Sequence, residues 1–231
     1  MTTRLVSMIL ILLMAGAATA QASDAQIRSQ LRRRIPTVDI SVANGVVTLT
    51  GTAPELAQKL SMETAAKRTP GVRQVIDQIR VVPPTNVSDA DIVATIRISY
   101  TQNLADAEVK AITVRSSGGV VTLTGALPSS YPKQVAMSLA SFVLGVVDIR
   151  NQIVVKPATL RTDAEVLADV RAHFAQNPLI PASSITATVT NGVVTLTGTV
   201  TSFVQADQAE SVARFIPGVI DVRNNLFVGN G

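Results

Sequence analysis

The chemistry available to this chain is limited by the residues it lacks. His173 is the only histidine of the 231 residues and there is no cysteine, so neither a multi-histidine metal site nor a thiol nucleophile can be assembled. A serine hydrolase would need a Gly-x-Ser-x-Gly nucleophile elbow, which the chain does not contain. We therefore predict no enzyme activity, no catalytic residue, no metal and no cofactor. We expect His173 to face solvent or to pack against its neighbours.

Glycine-containing turns are a second feature that could carry chemistry, because glycine-rich loops bind phosphate groups in many proteins. Here no Gly-Lys-Ser or Gly-Lys-Thr follows the glycines, and no helix is predicted to begin at them. The carboxylates near predicted helix starts are explained by capping of the helix N-termini. We interpret the glycines as turn residues.

The remaining candidates are basic residues near the ends of two predicted helices. Cations stabilise a helix C-terminus by about 0.3–1 kcal/mol each. Alternatively, they contact anionic lipid, at about 1 kcal/mol per basic residue near the surface. Both interpretations stay open from the sequence. The candidate lipid-binding residues are Arg28, Arg32, Arg33, Arg34, Lys67 and Arg68.

Residues 1–20 are typical of a secretory signal peptide. Arg4 precedes an apolar run, and Ala18-Thr19-Ala20 resembles a cleavage site. An uncleaved membrane anchor is the alternative, but the run is shorter than the roughly 20 residues that a span needs. We predict cleavage near Ala20, a periplasmic location and no transmembrane span in the mature chain.

The charge of the chain is mildly basic. It has 20 Lys and Arg against 16 Asp and Glu, and removal of residues 1–20 takes one Arg and no acid, leaving a net charge of +3. Aromatic residues are 3% of the chain and Trp is absent, so stacking platforms for single-stranded nucleic acid are missing. We predict no nucleic-acid partner. A basic exported protein suits an anionic phospholipid surface or other envelope components, although solubility alone also accounts for this charge.

One eight-residue stretch occurs three times and organises the whole chain. Asn-Gly-Val-Val-Thr-Leu-Thr-Gly begins at Asn44 and Asn191, and Gly-Gly-Val-Val-Thr-Leu-Thr-Gly begins at Gly118. A Gly-Val pair follows 26 residues after the second residue of each copy. This repetition predicts three copies of one module. The residues predicted to serve turns are Asn44, Gly45, Gly51, Gly71, Gly118, Gly119, Gly125, Gly145, Asn191, Gly192, Gly198 and Gly218.

Each copy predicts the same order of elements. Asn-Gly or Gly-Gly between alternating β-branched residues indicates a hairpin. Ser23-Asp24, Ser88-Asp89 and Thr162-Asp163 start a helix before it, with the hydroxyl as N-cap and Asp next to it. A second helix and a third strand follow. Copy one is shorter at the front, so it has lost either a helical turn or the loop after the helix. On the third strands Asp77, Asn151 and Asn224 interrupt the apolar face, and we expect them to satisfy backbone groups.

These patterns predict an α+β fold of three tandem αββαβ modules, each a three-stranded mixed sheet with two helices on one face. The predicted domains are residues 23–83, with the shortened front, 88–156 and 160–229. The linkers Val82-Pro83-Pro84-Thr85 and Lys156-Pro157-Ala158-Thr159 are short and contain proline, so we expect semi-rigid spacers.

The helix start, the hairpin and the Gly-Val-x-x-Val-x-Asn-x-Ile/Leu-x-Val ending together resemble the BON domain, named for bacterial osmotic-shock and nodulation proteins. Leu144 replaces the proline of the other copies, and Asp77 replaces the expected asparagine. The resemblance implies a non-enzymatic envelope protein that associates with anionic phospholipid and supports envelope integrity under osmotic stress. The alternative is a periplasmic interaction or chaperone-like adaptor for envelope proteins. A third hypothesis is a soluble ligand carrier, which a structure without an apolar cavity would exclude.

Overall fold

The structure is a computed structural model that describes residues 22–157 and 161–229. The predicted signal peptide, residues 1–20, lies outside the described residues. So do residues 158–160, which include part of the second linker and the first residue of the third predicted domain.

The chain folds into three modules with a common order of helix, hairpin, helix and strand. The first contains α1 (Asp24–Arg34), β1 (Asp39–Ala43), β2 (Val46–Ala53), α2 (Leu56–Lys67) and β3 (Gln74–Val81). The second contains α3 (Asp89–Asn103), α4 (Asp106–Ala111), β4 (Ile112–Ser117), β5 (Val120–Leu127), α5 (Ser130–Ser141) and β6 (Asp148–Val155). The third contains α6 (Asp163–Gln176), a 3₁₀ turn (Ala182–Ser184), β7 (Ile185–Thr190), β8 (Val193–Val200), α7 (Phe203–Arg214) and β9 (Asp221–Val228).

Each module has one three-stranded mixed sheet. In the first, β1 is antiparallel to β2 and β2 is parallel to β3, with Val47 opposite both Val42 and Val75. The second and third sheets repeat this pairing, with the same strand order. The predicted α+β class and the three tandem modules are therefore confirmed.

The core of each module lies between the sheet and its two long helices. In the first module Ile27 and Leu31 of α1, Ala66 of α2, and Val47 and Leu49 of β2 are fully buried in one cluster. Alternate strand residues point into this cluster because a strand sends successive side chains to opposite faces. The corresponding second-helix alanines of the other modules, Ala140 and Ala213, are also fully buried. A methyl side chain at this position lets the second helix lie close to the sheet.

The first module is shorter at its front for two reasons. Helix α1 has 11 residues, whereas α3 has 15 and α6 has 14. In addition, the second module inserts the six-residue helix α4 and the third inserts the 3₁₀ turn, at a place where four residues join α1 to β1. The sequence left open whether a helical turn or the following loop was missing, and the structure shows that both are.

The three modules contact one another through their second helices. Helix α2 packs against α5, and Leu56, the first residue of α2, belongs to the core of the second module. Phe203, the first residue of α7, packs against the core of the first module. Helices α5 and α7 are joined by Tyr131 and Phe215, whose ring centroids are 6.1 Å apart. The second helices thus meet one another, and the sheets lie outside them.

Candidate functional site

The exposed end of α1 carries the strongest concentration of positive charge in the described chain. Arg32, Arg33 and Arg34 form its last turn and are all exposed. Arg33 donates a hydrogen bond to the Ser29 hydroxyl at 3.1 Å. Within residues 22–157 and 161–229 none of these three guanidinium groups forms an ion pair. Their charge is therefore available to an external anion. We call these three residues the arginine turn.

Arg28 has a different environment, although it lies one turn before the arginine turn. It is half-buried, and its Nη2 donates to the carbonyl oxygen of Val42 on the edge strand β1 at 3.3 Å. Its Nε is buried and has no hydrogen-bond partner in the described part of the chain. Because one nitrogen is engaged by the sheet and another is covered, Arg28 attaches α1 to β1 and offers only part of its charge to solvent.

Lys67 and Arg68 lie at the opposite end of the helical layer. A side chain added at Gly71, just after α2, would meet Ala22 and Ile27 at the start of α1, so α1 and α2 run antiparallel. Lys67 forms an ion pair with Glu63 at 2.9 Å. Both basic residues also act on the Asp207 carboxyl of the third module. The six candidate residues therefore form two groups, one at each end of the layer.

The charge is unevenly divided among the modules. Residues 22–83 contain nine Lys and Arg and five Asp and Glu, a net charge of +4. Residues 88–157 have six basic and five acidic residues, and residues 161–229 have four basic and six acidic, giving +1 and −2. Counting charges module by module would have found this gradient from the sequence. An anionic surface is therefore attracted to the first module and repelled by the third.

A carboxylate clip holds the hairpin turn of every module. Asp24 accepts hydrogen bonds from the backbone N–H groups of Asn44 and Gly45 at 2.8 and 2.9 Å. Asp89 binds the N–H groups of Gly118 and Gly119 at 2.8 and 3.0 Å and the Ser116 hydroxyl, and Asp163 binds those of Asn191 and Gly192 at 2.8 Å. The sequence suggested only that these residues complement the helix N-terminus. They also join that terminus to a turn some 20 to 30 residues later.

The clip lowers the pKa of Asp24 and of Asp89. Hydrogen bonds from the backbone N–H groups of Gly45 and Asn44 hold the pKa of Asp24 below its ordinary value. The Ser116 hydroxyl, and then the N–H groups of Gly119 and Gly118, do the same for the pKa of Asp89. Hydrogen-bond donors lower the pKa of a carboxyl group because they stabilise its ionised form.

The clip also decides what the turns can bind. The two N–H groups of each turn are the donors that an anion-binding loop would offer, and here an aspartate of the same module already occupies them. Asn44 and Gly45 have φ angles of 52° and 75°, the left-handed region that a type I′ turn requires. The turns therefore do not act as phosphate loops.

The remaining polar candidates have local roles. His173 is exposed, and its Nδ1 lies 2.8 Å from the carbonyl oxygen of Asp169, one turn earlier on α6. Asp77, Asn151 and Asn224 each accept a hydrogen bond from the backbone N–H two residues later, at 2.8, 3.2 and 3.2 Å. In the part of the chain that the structure describes, no group of three or more His, Cys, Asp or Glu residues is placed to hold a metal ion. Over the same ranges no helix combines the length and apolar character that crossing a bilayer requires.

Comparison with protein families identifies the repeated module. The BON domain model matches residues 23–83, 88–157 and 162–230, which together cover most of the chain. The resemblance inferred from the hairpin and helix motifs is thus confirmed for all three copies, including the shortened first one.

Two curated relatives match about half of the chain. Osmotically-inducible protein Y of Escherichia coli is 31% identical over 121 residues, which are 50% of this chain and 60% of the relative. Outer membrane lipoprotein DolP of Haemophilus influenzae is 32% identical over 121 residues, 49% of this chain and 62% of the relative. The match therefore spans less than two thirds of either relative. A structure of CdsD, a structural protein of the type III secretion system of Chlamydia trachomatis, aligns over 87% of this chain and 90% of its own, at 19% identity. Its TM-score of 0.24 is too low to relate the two structures.

Proposed function

The chain belongs to the BON domain family, in three tandem copies, and from this premise we propose that it is a non-enzymatic protein of the bacterial envelope that associates with anionic phospholipid through its first module. The proposal includes export by residues 1–20, a periplasmic location and a role in envelope integrity under osmotic stress. The names of the two relatives, one osmotically inducible and one an outer membrane lipoprotein, support the proposed compartment and the proposed role in osmotic stress.

The observation that carries the proposal is the arginine turn. Arg32, Arg33 and Arg34 are exposed, consecutive and without an ion-pair partner among the described residues. The corresponding last turn of α3 has no basic residue, and that of α6 has only His173. The first module is therefore the one whose helix end suits a layer of lipid phosphates.

The expected strength of this contact follows from its charge. Each basic residue near an anionic bilayer contributes about 1 kcal/mol. Three of them contribute about 3 kcal/mol, or about 100-fold in affinity. The contact is electrostatic and exposed, so it weakens as added salt shortens the screening length.

Vesicle co-sedimentation tests the proposal. The mature chain is mixed with phosphatidylglycerol vesicles and with phosphatidylcholine vesicles, at low and at physiological salt. We expect the protein to sediment with the anionic vesicles only. Its affinity for them should fall by about 100-fold when Arg32, Arg33 and Arg34 are all changed to Ser.

A matched control separates position from total charge. The control residues are exposed, lie in the second and third modules and form no ion pairs among the described residues: Arg97, Lys110 and Arg171. Changing all three to Ser removes as many positive charges as the variant of the arginine turn does. The control variant should keep most of the binding. Equal loss in both triple variants would show that net charge alone attracts the protein, and equal recovery on both kinds of vesicle would rule out an electrostatic contact.

A second candidate function, an adaptor for envelope proteins, is favoured by the outer faces of the sheets. Phe227 of β9 and Val154 of β6 stand at equivalent positions on the faces away from the helices and are 66% and 49% exposed. Each sheet also has an edge strand on both sides of its central strand, and edge strands can pair with an extended peptide. A pull-down from periplasmic extract with wild type and with Val154 and Phe227 both changed to Thr tests this function. Partners that are captured equally by both proteins would argue against these faces.

A further inference from the structure

The three contacts between modules use equivalent residues. Leu56, Ser130 and Phe203 each stand five residues after the glycine that closes the hairpin and begin the second helix. Leu56 is 6% exposed in the core of the second module, and Phe203 packs against the core of the first. Ser130 occupies the same place where the second module meets the third. Because its side chain is the smallest of the three, this contact is left incompletely filled.

A recess of about 390 Å³ lies at this contact, and we call it the junction recess. It is lined by α5 and α7, with Tyr131, Gln134 and Val135 on one side and Asp207 and Phe215 on the other. Tyr131 and Phe215 are 59% and 62% exposed, and their rings are 6.1 Å apart with planes inclined by 43°. Two of the seven aromatic residues of the chain thus line one opening.

Two polar groups of the recess have no hydrogen-bond partner among the residues that the structure describes. Ser130 is only 4% exposed, and its hydroxyl is buried without a hydrogen bond. Among the described residues the Asp207 carboxylate accepts no hydrogen bond and forms no ion pair. A buried polar group without a partner is uncommon and calls for an explanation, of which a bound ligand is one.

The other charged residues of the recess are already engaged. Glu210 accepts from Arg214 through one carboxylate oxygen and from the Asn224 side chain through the other at 3.0 Å. Arg214 also lies 3.7 Å from Asp221. Desolvation by burial raises the pKa of Asp207, and Glu210 and Glu63 add to this rise, while Lys67 and Arg68 oppose it. Asp207 is therefore the charged group that a ligand would meet.

We propose that the junction recess binds a small organic cation, an ammonium group on an apolar body. The faces of Tyr131 and Phe215 attract a cation, and the Asp207 carboxylate supplies its counter-charge. The Ser130 hydroxyl can accept a hydrogen bond from an ammonium N–H. An anion would face the carboxylates of Asp207 and Glu210, and a neutral apolar ligand would leave Asp207 without a partner.

The test uses two probes and a neutral control. Choline and n-butylammonium are titrated into isotopically labelled mature chain, and the neutral isostere of choline, in which carbon replaces nitrogen, is titrated in parallel. We expect saturable shifts of the backbone amide resonances of α5 and α7 with both cations. Shifts of equal size with the neutral isostere, or no saturation with either cation, would overturn the proposal.

Variants locate the binding and check its chemistry. Asp207→Asn and Phe215→Leu should each lower the affinity for choline by about tenfold. Phe142→Leu is the matched control, because Phe142 is the equivalent of Phe215 in the second module, is 67% exposed and does not line the recess. It should bind as wild type does, and a loss equal to that of Phe215→Leu would contradict the assignment.

Ser130→Leu provides an independent check. This substitution places a leucine at the contact between the second and third modules, where the first module has Leu56 at the equivalent position. The protein should therefore fold, and its unfolding temperature should not fall. Binding of both cations should be lost because the leucine occupies the recess. Undiminished binding in Ser130→Leu would overturn the proposal. These measurements contain no lipid, so their outcome is independent of vesicle binding by the arginine turn.

Discussion

The glycines that close the three hairpins differ in their steric surroundings. This difference predicts that alanine substitutions at the three positions will destabilise their modules by different amounts. Gly51, Gly125 and Gly198 have φ angles of 133°, 142° and 128°, which L-residues rarely adopt. A Cβ at Gly125 would stand 2.0 Å from the carbonyl oxygen of Ala111, and one at Gly198 would stand 2.1 Å from that of Ser184. A Cβ at Gly51 would meet nothing closer than Val38 Cγ1 at 3.5 Å.

The physical cause is the short front of the first module. In the second and third modules an inserted helical segment leads straight into the edge strand and brings a backbone carbonyl against the glycine. In the first module the chain enters through Pro36 and Thr37, and no carbonyl takes that place. The three glycines are identical in the sequence pattern but not in their steric surroundings.

The expected magnitudes follow from these distances. Backbone strain from the positive φ costs about 1–3 kcal/mol per alanine at all three positions. At Gly125 and Gly198 a carbonyl must in addition move by more than about 1 Å, and forced repacking of this kind typically costs about 1–3 kcal/mol more. We therefore expect Gly125→Ala and Gly198→Ala to lose about 2–6 kcal/mol of module stability, and Gly51→Ala about 1–3 kcal/mol.

Hydrogen exchange followed by mass spectrometry measures this module by module. Peptides from the buried strands β2, β5 and β8 report the opening free energy of each module within the intact mature chain. Equal destabilisation of the first module by Gly51→Ala and of the second module by Gly125→Ala would refute this steric difference between the glycines.

Two further predictions concern buried and ionised side chains. Because the pKa of Asp89 is lowered in the folded protein, its clip contributes fully above the ordinary pKa of 3.8 and is lost as the pH falls through the lower folded value. The protection of the Gly118 and Gly119 amides, measured by NMR as the exchange rate relative to the intrinsic rate at each pH between about 2 and 6, should fall on acidification in wild type but not in Asp89→Asn. Identical pH profiles of this protection would disprove the role of Asp89. The Tyr100 hydroxyl is buried, which raises its pKa, and it donates to the carbonyl oxygen of Ala136 at 2.8 Å, so Tyr100→Phe should cost about 1–2 kcal/mol in urea unfolding. Tyr131→Phe, at the other, exposed tyrosine, is the control and should change stability by less than about 0.5 kcal/mol.

Local patterns in the sequence were sufficient to predict the repeated architecture. Asn44-Gly45 requires positive φ, and alternating β-branched residues make the flanking strands, so each hairpin follows from neighbours in the chain. Ser23, Ser88 and Thr162 mark helix starts because their hydroxyl groups accept from N–H groups three residues later. These interactions span a few residues, and three copies repeat them, which is why fold and family could be predicted.

The candidate sites depend on contacts between distant residues, and these were not visible in the pattern. Asp24 resembles an ordinary first-turn acid, and only the packing of α1 against the hairpin brings its carboxylate to the N–H groups of Asn44 and Gly45. Lys67 and Arg68 were lipid-binding candidates together with the arginine turn, but the antiparallel packing of α1 and α2 puts them at the other end of the layer.

The junction recess depends on packing between modules that no local sequence pattern indicates. Alignment of the copies places Ser130 with Leu56 and Phe203, yet a serine at the start of a helix has no local consequence that would mark it. Its importance arises only when α5 meets α7 and the volume left by the small side chain becomes a recess lined by Tyr131 and Phe215. Spacing along the chain therefore determined the modules themselves. Packing between modules decided which side chains became buried, paired or available to a ligand, because burial depends on neighbours that are remote in sequence.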